Sequence, residues 1–323
     1  MTRPVIGIAA SVDFMAPARS GGGILPSGPG AGGHGPCGTG DQPPRLVAVL
    51  PMTYVEAVAA AGGLPVILPV ARPGEAVDPW LEHIDALVVP GNYPYLPAGL
   101  RALPGLREQA PYRYDSDVVW LRGALGRGMP VLAICRGMQT LNELLGGTLT
   151  RRVHPPGSHL QVEPGAGRGH GLWVEPGSRL AACLGGRTRV HVNSFHVAAV
   201  RQPGRGLRVS GRAQDGVVEA VEGEGEAFIL GVQFHPELLW RDEPALAGIF
   251  TGLVEAAWVY RQGRAGRTVT PAAVTAAAAG EGAGAGADAG AGGSAPPRAA
   301  PAGAAVKVEP GPAAVHCCDP LML

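Results

Sequence analysis

Short apolar runs alternate with stretches of helical periodicity along most of this chain. Val5–Ala9, Leu64–Pro69, Ala86–Pro90 and Pro130–Ile134 read as buried strands, each too short to be a helix. Thr53–Ala61 and Asp115–Gly126, between them, read as helices. Strands built almost entirely from Val, Ile and Leu and separated by helices predict a parallel sheet covered on both faces. The texture changes after Gly147. Arg189–Val192, Arg208–Arg212, Val217–Val221 and Phe228–Gln233 are separated by turn residues and predict a small β-ribbon. The predicted fold is therefore α/β, with three layers and an appended ribbon.

Two regions break the pattern. Residues 16–45 are rich in Gly, Pro and Ser with few large apolar groups, and read as a low-complexity insertion. Beyond Gln262 the chain is mostly Ala, Gly and Pro, without an aromatic residue. Such a composition buries too little surface to offset its ordering entropy. The expected organisation is one domain over 1–262 and a disordered tail over 263–323.

Charge narrows the function classes. Lys and Arg total 26 and so do Asp and Glu, leaving a net charge of +0. No basic run marks a nucleic-acid or anionic membrane partner. No apolar stretch approaches the ~20 residues that span a bilayer, and the N-terminus reads as a strand rather than a signal peptide. The five cysteines, Cys37, Cys135, Cys183, Cys317 and Cys318, form no disulfide framework, which points to a reducing, cytosolic compartment. Cys317 and Cys318 are too isolated for a zinc site, and neither metal nor organic cofactor is expected.

The candidate chemistry begins at Cys135. The apolar run Val131–Ile134 ends at this residue, and a helical pattern starts immediately after it. Small residues, Ala133 and Gly137, flank the cysteine at −2 and +2, as a tight strand-to-helix turn requires. The positive end of the following helix is aimed at the sulfur and favours thiolate chemistry. A hundred residues later, Gly231-Val232-Gln233-Phe234-His235-Pro236-Glu237 places a histidine and a carboxylate two residues apart, so that on a strand they share one face. The three residues compose a Cys-His-Glu triad in which His235 moves the proton and Glu237 fixes the imidazole. Backbone N–H groups of Arg136 and of the Gly91-Asn92 turn are the candidate oxyanion donors. A lone cysteine in an apolar run is ordinarily a small core hydrophobe. That reading suits Cys183, whereas for Cys135 the distant His-x-Glu outweighs it.

Other polar residues read more blandly. His154, His159 and His170 fall in a Pro- and Gly-rich stretch without metal-ligand spacing and read as loop residues. Arg113 and Asp115 read as anchors of the helix before the nucleophile strand. His196 has two readings of equal standing, a wall of the substrate pocket or a hydrogen-bonded strand-end histidine.

These motifs are similar to those of class I glutamine amidotransferase-like hydrolases, and within them the γ-glutamyl-γ-aminobutyrate hydrolase family. The resemblance is carried by Tyr54–Pro69, Val89-Pro90-Gly91, Ala133–Gly147, Val192–His196, Asp215–Val221 and Gly231–Glu237, in the family's order. It implies a flavodoxin-like fold, Cys135 as nucleophile, His235 as base, Glu237 as third member, and Gly91, Asn92 and Arg136 around the oxyanion. It further places Gln139, Asn193, Ser194 and His196 at the substrate, and His170 near the site. The implied substrates are γ-glutamyl amides, cleaved to glutamate and an amine without a metal or cofactor. Asn92 stands where the family commonly has Gly, and Val197-Ala198 where it often continues His-Gln or Gly-Gln. Three functions are weighed on this basis: a stand-alone thiol hydrolase, a glutaminase subunit feeding a separate synthetase, and a γ-glutamyl-binding protein without turnover.

Overall fold

The structure is a computed structural model that describes residues 2–15, 45–91, 111–151, 153, 159–161 and 169–265. Its first elements are β1 (Val5–Ala9), β2 (Ser11–Met15), β3 (Arg45–Val49), α1 (Met52–Ala60), β4 (Leu64–Leu68), α2 (Asp78–Leu81) and β5 (Ala86–Val89). Next come α3 (Pro111–Gly126), β6 (Val131–Ile134), α4 (Arg136–Leu144), β7 (Thr148–Thr150), β8 (His170–Val174), α5 (Arg179–Cys183) and β9 (Arg189–Val192). The last are β10 (Ala199–Gln202), β11 (Leu207–Ala213), β12 (Val218–Gly223), β13 (Ile229–Val232) and α6 (Pro244–Ala265).

The main sheet runs in the order β4-β1-β5-β6-β13-β12-β11-β8-β9. Its first five strands are mutually parallel and the remainder antiparallel. Within the parallel half the apolar runs serve two faces at once. Ala86 and Val88 join α1 and α6 in one core, while Leu87 and Val89 join α2, α3 and α4 in the other. That division is what a strand buried on both sides requires, and it makes the fold the expected three-layer α/β arrangement.

The ribbon reading needs correction. Ile229–Val232 is not ribbon but the fifth parallel strand, in register with Val131–Ile134. The antiparallel strands continue the same sheet through Ala220↔Val232 and its neighbours instead of standing apart. Three further strands, β7, β8 and β10, occupy stretches where the sequence pattern predicts none.

The boundary at residue 262 also moves. Helix α6 continues to Ala265 because its last turn is tied to the sheet: Arg264 donates to Ile84 O and to Asp85 Oδ1, both at 3.0 Å. Arg261 donates to the carbonyls of Thr2 and Arg3, and buried Asp85 in turn accepts from Val5 N at 2.8 Å. The predicted tail beyond this helix lies outside the described residues. So does most of the insertion, although its two flanks pair as an antiparallel neck, β2 with β3, from Ser11↔Val49 to Met15↔Arg45. Among the described residues, no helix is long and apolar enough to cross a membrane.

Candidate active site

The parallel strands β5, β6 and β13 end side by side, and the predicted catalytic groups lie just past those ends. This is where an open α/β sheet places its ligands. Cys135 follows β6 with φ 50° and ψ −104°, and among the described residues it alone combines a side chain with positive φ. Such a conformation costs about 1–3 kcal/mol and persists only where its surroundings impose it. The constraint comes from both sides: Cys135 N donates to Val232 O at 2.6 Å, and Cys135 O accepts from Gln139 N at 3.1 Å. Gly137 is needed for the same turn, because a Cβ there would lie 2.2 Å from Val89 O.

His235 and Glu237 meet as expected, but not on a strand. Strand β13 ends at Val232, and Pro236–Leu238 forms a 3₁₀ turn that wraps the carboxylate back onto the ring. The His235 Nδ1···Glu237 Oε1 distance is 2.6 Å, and both residues are buried. Burial alone would hold the imidazole neutral. Glu237 and the Cys135 sulfur outweigh it and raise the His235 pKa well above its usual value. The buried Nε2 makes no hydrogen bond of good geometry, so the sulfur acts on it through charge and proximity.

The oxyanion region differs from expectation in one respect. Gly91 N–H is already given to the Tyr54 hydroxyl at 3.0 Å. Asn92 lies outside the described residues. Arg136 occupies the first position of α4, directly after Cys135. Tyr54 also borders Glu237; burial and that carboxylate together hold its phenol well above the usual pKa. Neither role was evident in the sequence, where Tyr54 is one more apolar-face residue of α1.

Arg113 does more than anchor its helix. Fully buried on α3, it grips both Asp117 oxygens at 2.8 Å and donates Nη2 to Pro90 O at 2.6 Å, fixing the turn that carries Gly91. Burial raises the Asp117 pKa, against the pull of Arg113. Burial also lowers Arg136 to about 10, against the attraction of Asp117. Asp115 lies half-buried on the same helix.

The four residues expected at the substrate all make hydrogen bonds within the fold. Gln139 Nε2 donates to Ala198 O at 2.8 Å and to Gln233 Oε1 at 3.1 Å. Gln233 in turn points its Nε2 at the Cys135 sulfur, 3.5 Å away. Asn193, fully buried, brackets the His235 backbone with two hydrogen bonds. Ser194 Oγ donates to His159 O at 2.9 Å. His196 meets Glu219, with Nε2 3.1 Å from its Oε1. Each of these side chains therefore has a partner inside the fold.

Two of the supposed loop histidines join that last pair. His159 Nδ1 and His170 Nε2 lie 3.0 and 3.4 Å from the same Glu219 Oε1, and His159 Nε2 lies 2.9 Å from Asp215 Oδ2. Burial opposes charge on Glu219, but the surrounding imidazoles outweigh it and lower its pKa strongly. Burial opposes charge on His159 too, and there Glu219 and Asp215 prevail and raise the pKa. His154 lies outside the described residues. Spacing could not reveal this grouping, because its members come from four separate segments.

An α/β sheet whose strand ends bring together a strained cysteine, a carboxylate-bound histidine and a helix N-terminus is an amidotransferase-like arrangement. Comparison with known proteins agrees. The family model Peptidase C26 matches residues 42–237. A Mycobacterium tuberculosis protein whose name proposes it as a glutamine amidotransferase is 37% identical over 272 residues, covering 82% of this chain and 77% of that one. The γ-glutamyl-γ-aminobutyrate hydrolase PuuD of Escherichia coli is 35% identical over 216 residues, covering 63% of this chain and 84% of the enzyme. A Thermoplasma acidophilum protein proposed as one subunit of GMP synthase shares the fold, with TM-score 0.52 and 14% identity, over 82% of this chain and 99% of its own. The chain belongs to the Peptidase C26 family and is a hydrolase acting on amide bonds.

Proposed function

We propose that the chain hydrolyses a γ-glutamyl amide, releasing glutamate and an amine through a thioester on Cys135. The observation that carries this reading is the short His235–Glu237 contact beside a cysteine held at positive φ. The Cys135 thiolate attacks the γ-carbonyl carbon, and the oxyanion forms beside Arg136 N–H, with Asn92 as the second donor. Protonated His235 then gives its proton to the leaving amine as the C–N bond breaks. Water, deprotonated by His235, attacks the thioester; glutamate leaves and the thiol is restored. Glu237 holds the imidazole in place and stabilises its charged form throughout. The substrate is a small molecule, the setting is the cytosol, and the reaction needs no nucleic acid, membrane or synthetase partner.

A panel of γ-glutamyl amides plus glutamine, assayed for glutamate release beside Cys135→Ala, tests the reading. Release that disappears in the variant supports it, and the preferred panel member names the amine half. Turnover of glutamine alone, enhanced by a co-purifying synthetase, would favour the ammonia-supplying role that the mycobacterial relative's name suggests. Ligand binding without turnover would favour a binding protein and sink the hydrolase.

A further inference from the structure

His159, His170, His196 and Glu219 each offer one ligand atom to a shared site. The four atoms lie within 4.8 Å of one another. They arrive from the 159–161 segment, the start of β8, the segment after β9 and the start of β12. Three further features separate this group from an ordinary hydrogen-bonded histidine.

The first is the occupation of the outward nitrogens. His159 Nε2 contacts Asp215 Oδ2 at 2.9 Å, His170 Nδ1 contacts Gly171 O at 3.2 Å, and His196 Nδ1 contacts Ala198 O at 3.1 Å. The oxygen acceptor at each outward nitrogen offers a place for that ring's N–H, the tautomer in which the inward nitrogen faces a cation. Such carboxylate- or carbonyl-bound imidazoles are how metal-ligating histidines are oriented.

The second is the state of the inward atoms. His159 Nδ1, His170 Nε2 and Glu219 Oε2 are buried without a hydrogen bond of acceptable geometry. Of the three inward nitrogens only His196 Nε2 has such a bond, to Glu219 Oε1 at 3.1 Å. The site thus holds three buried polar atoms that a bound cation would satisfy.

The third is spacing. The three nitrogens stand 3.0, 3.1 and 3.4 Å from Glu219 Oε1. A tetrahedral ion with arms of about 2.0–2.1 Å sets neighbouring ligands about 3.3–3.4 Å apart, which these three separations approach, while the others lie within 4.8 Å.

We propose that His159, His170, His196 and Glu219 form a binding site for one divalent transition-metal ion of the zinc type. Three nitrogens and one carboxylate oxygen suit that ion. With four protein ligands the site is closed, so its role is structural. It fastens the 159–161 segment and the 193–196 segment to β12. Glu219 O also accepts from Gln233 N at 2.7 Å, so the site sits directly behind the strand end that carries His235.

The test titrates the full-length, metal-stripped protein, kept reduced, with Co²⁺ as a spectroscopic probe. The expected result is a single equivalent giving the visible bands of a four-coordinate N/O site, without a thiolate-to-cobalt charge-transfer band, and displaceable by Zn²⁺. His170→Ala should abolish the stoichiometric signal. Asp215→Ala, at a partly exposed position, should weaken binding about 10–100-fold with the circular dichroism unchanged. The proposal is overturned if the folded wild-type protein takes up no stoichiometric Co²⁺. It is overturned equally if the signal carries a thiolate band, is lost in Cys135→Ala and survives in His170→Ala.

Discussion

Asn193 brackets the backbone of His235, accepting from its N–H at 2.8 Å and donating to its carbonyl at 2.9 Å. Both residues are buried, so the amide is the device that sets where the imidazole stands. Asn193→Ala should therefore lower kcat by about 100-fold, the order expected for a catalytic group displaced by an ångström. KM should change little. Each orphaned backbone group should also cost about 1–3 kcal/mol of stability. Steady-state kinetics and urea unfolding of the same preparation separate the two effects. Full activity in the variant would remove Asn193 from any positioning role.

Gly91 packs against the His235 and Cys135 side chains. A Cβ at this position would lie 2.6 Å from His235 Cε1 and 3.1 Å from Cys135 Cβ. Gly91→Ala should fold, because one methyl at the sheet edge displaces side chains and leaves the core intact. It should lose most of its turnover, because the histidine must give way. Thermal melting within a few degrees of wild type, together with a kcat loss of at least about 10-fold, is the expected pair of results.

The charge on His235 has a pH signature. Its folded pKa is raised above the ordinary value by Glu237 and Cys135, despite burial. A raised basic group contributes stability that is fully present below the unfolded pKa, about 6.5, and is lost as pH rises through the folded value. Wild-type stability should thus fall on the alkaline side of neutrality. The leaving amine needs the same proton, so the rate should show an alkaline limb there. Glu237→Gln removes one raising charge and should move that limb to lower pH. Rate profiles and melting curves over the range from about pH 6 to about pH 10 check both directions, and an unmoved limb would detach it from His235.

Arg113 and Asp117 form a buried pair in which each needs the other. Arg113→Ala leaves a buried carboxylate uncompensated and should cost about 3–5 kcal/mol. It also frees Pro90 O, so the Gly91 turn loses its anchor. Replacing both residues by leucine should recover much of the stability but little of the activity. Chemical denaturation of the two variants reads the first effect, and kcat reads the second.

The parallel half of the fold and the turn that holds Cys135 were legible because their signals are local. Val131–Ile134, Cys135 and Gly137 are contiguous, and His235-Pro236-Glu237 spans three residues. What escaped was pairing between distant segments. An apolar run such as Ile229–Val232 has the same pattern whether its neighbour is parallel or antiparallel, so the sequence alone does not separate β13 from ribbon. The last turn of α6 has the composition of the tail, and only the contacts of Arg264 with Ile84 and Asp85 keep it helical to Ala265. Asn193, Ser194 and His196 stand beside the site in sequence order, yet their partners, His235, His159 and Glu219, lie 42, 35 and 23 positions away. Linear spacing carries no record of those meetings. Tyr54 is the same case, an aromatic residue on an apolar helix face whose hydroxyl alone has chemical work to do.

The neck formed by β2 and β3 has a consequence for how this gene can change. The ladder from Ser11↔Val49 to Met15↔Arg45 holds the two ends of residues 16–44 one strand spacing apart before the chain reaches α1. The cost of closing a loop grows only logarithmically with its length, about 0.6 kcal/mol per doubling. Codons can therefore be gained or lost between these anchors with almost no penalty to folding, and the catalytic sheet edge is indifferent to their number. The neck is an insertion port, the position at which a reporter or a second domain should be spliced into this chain.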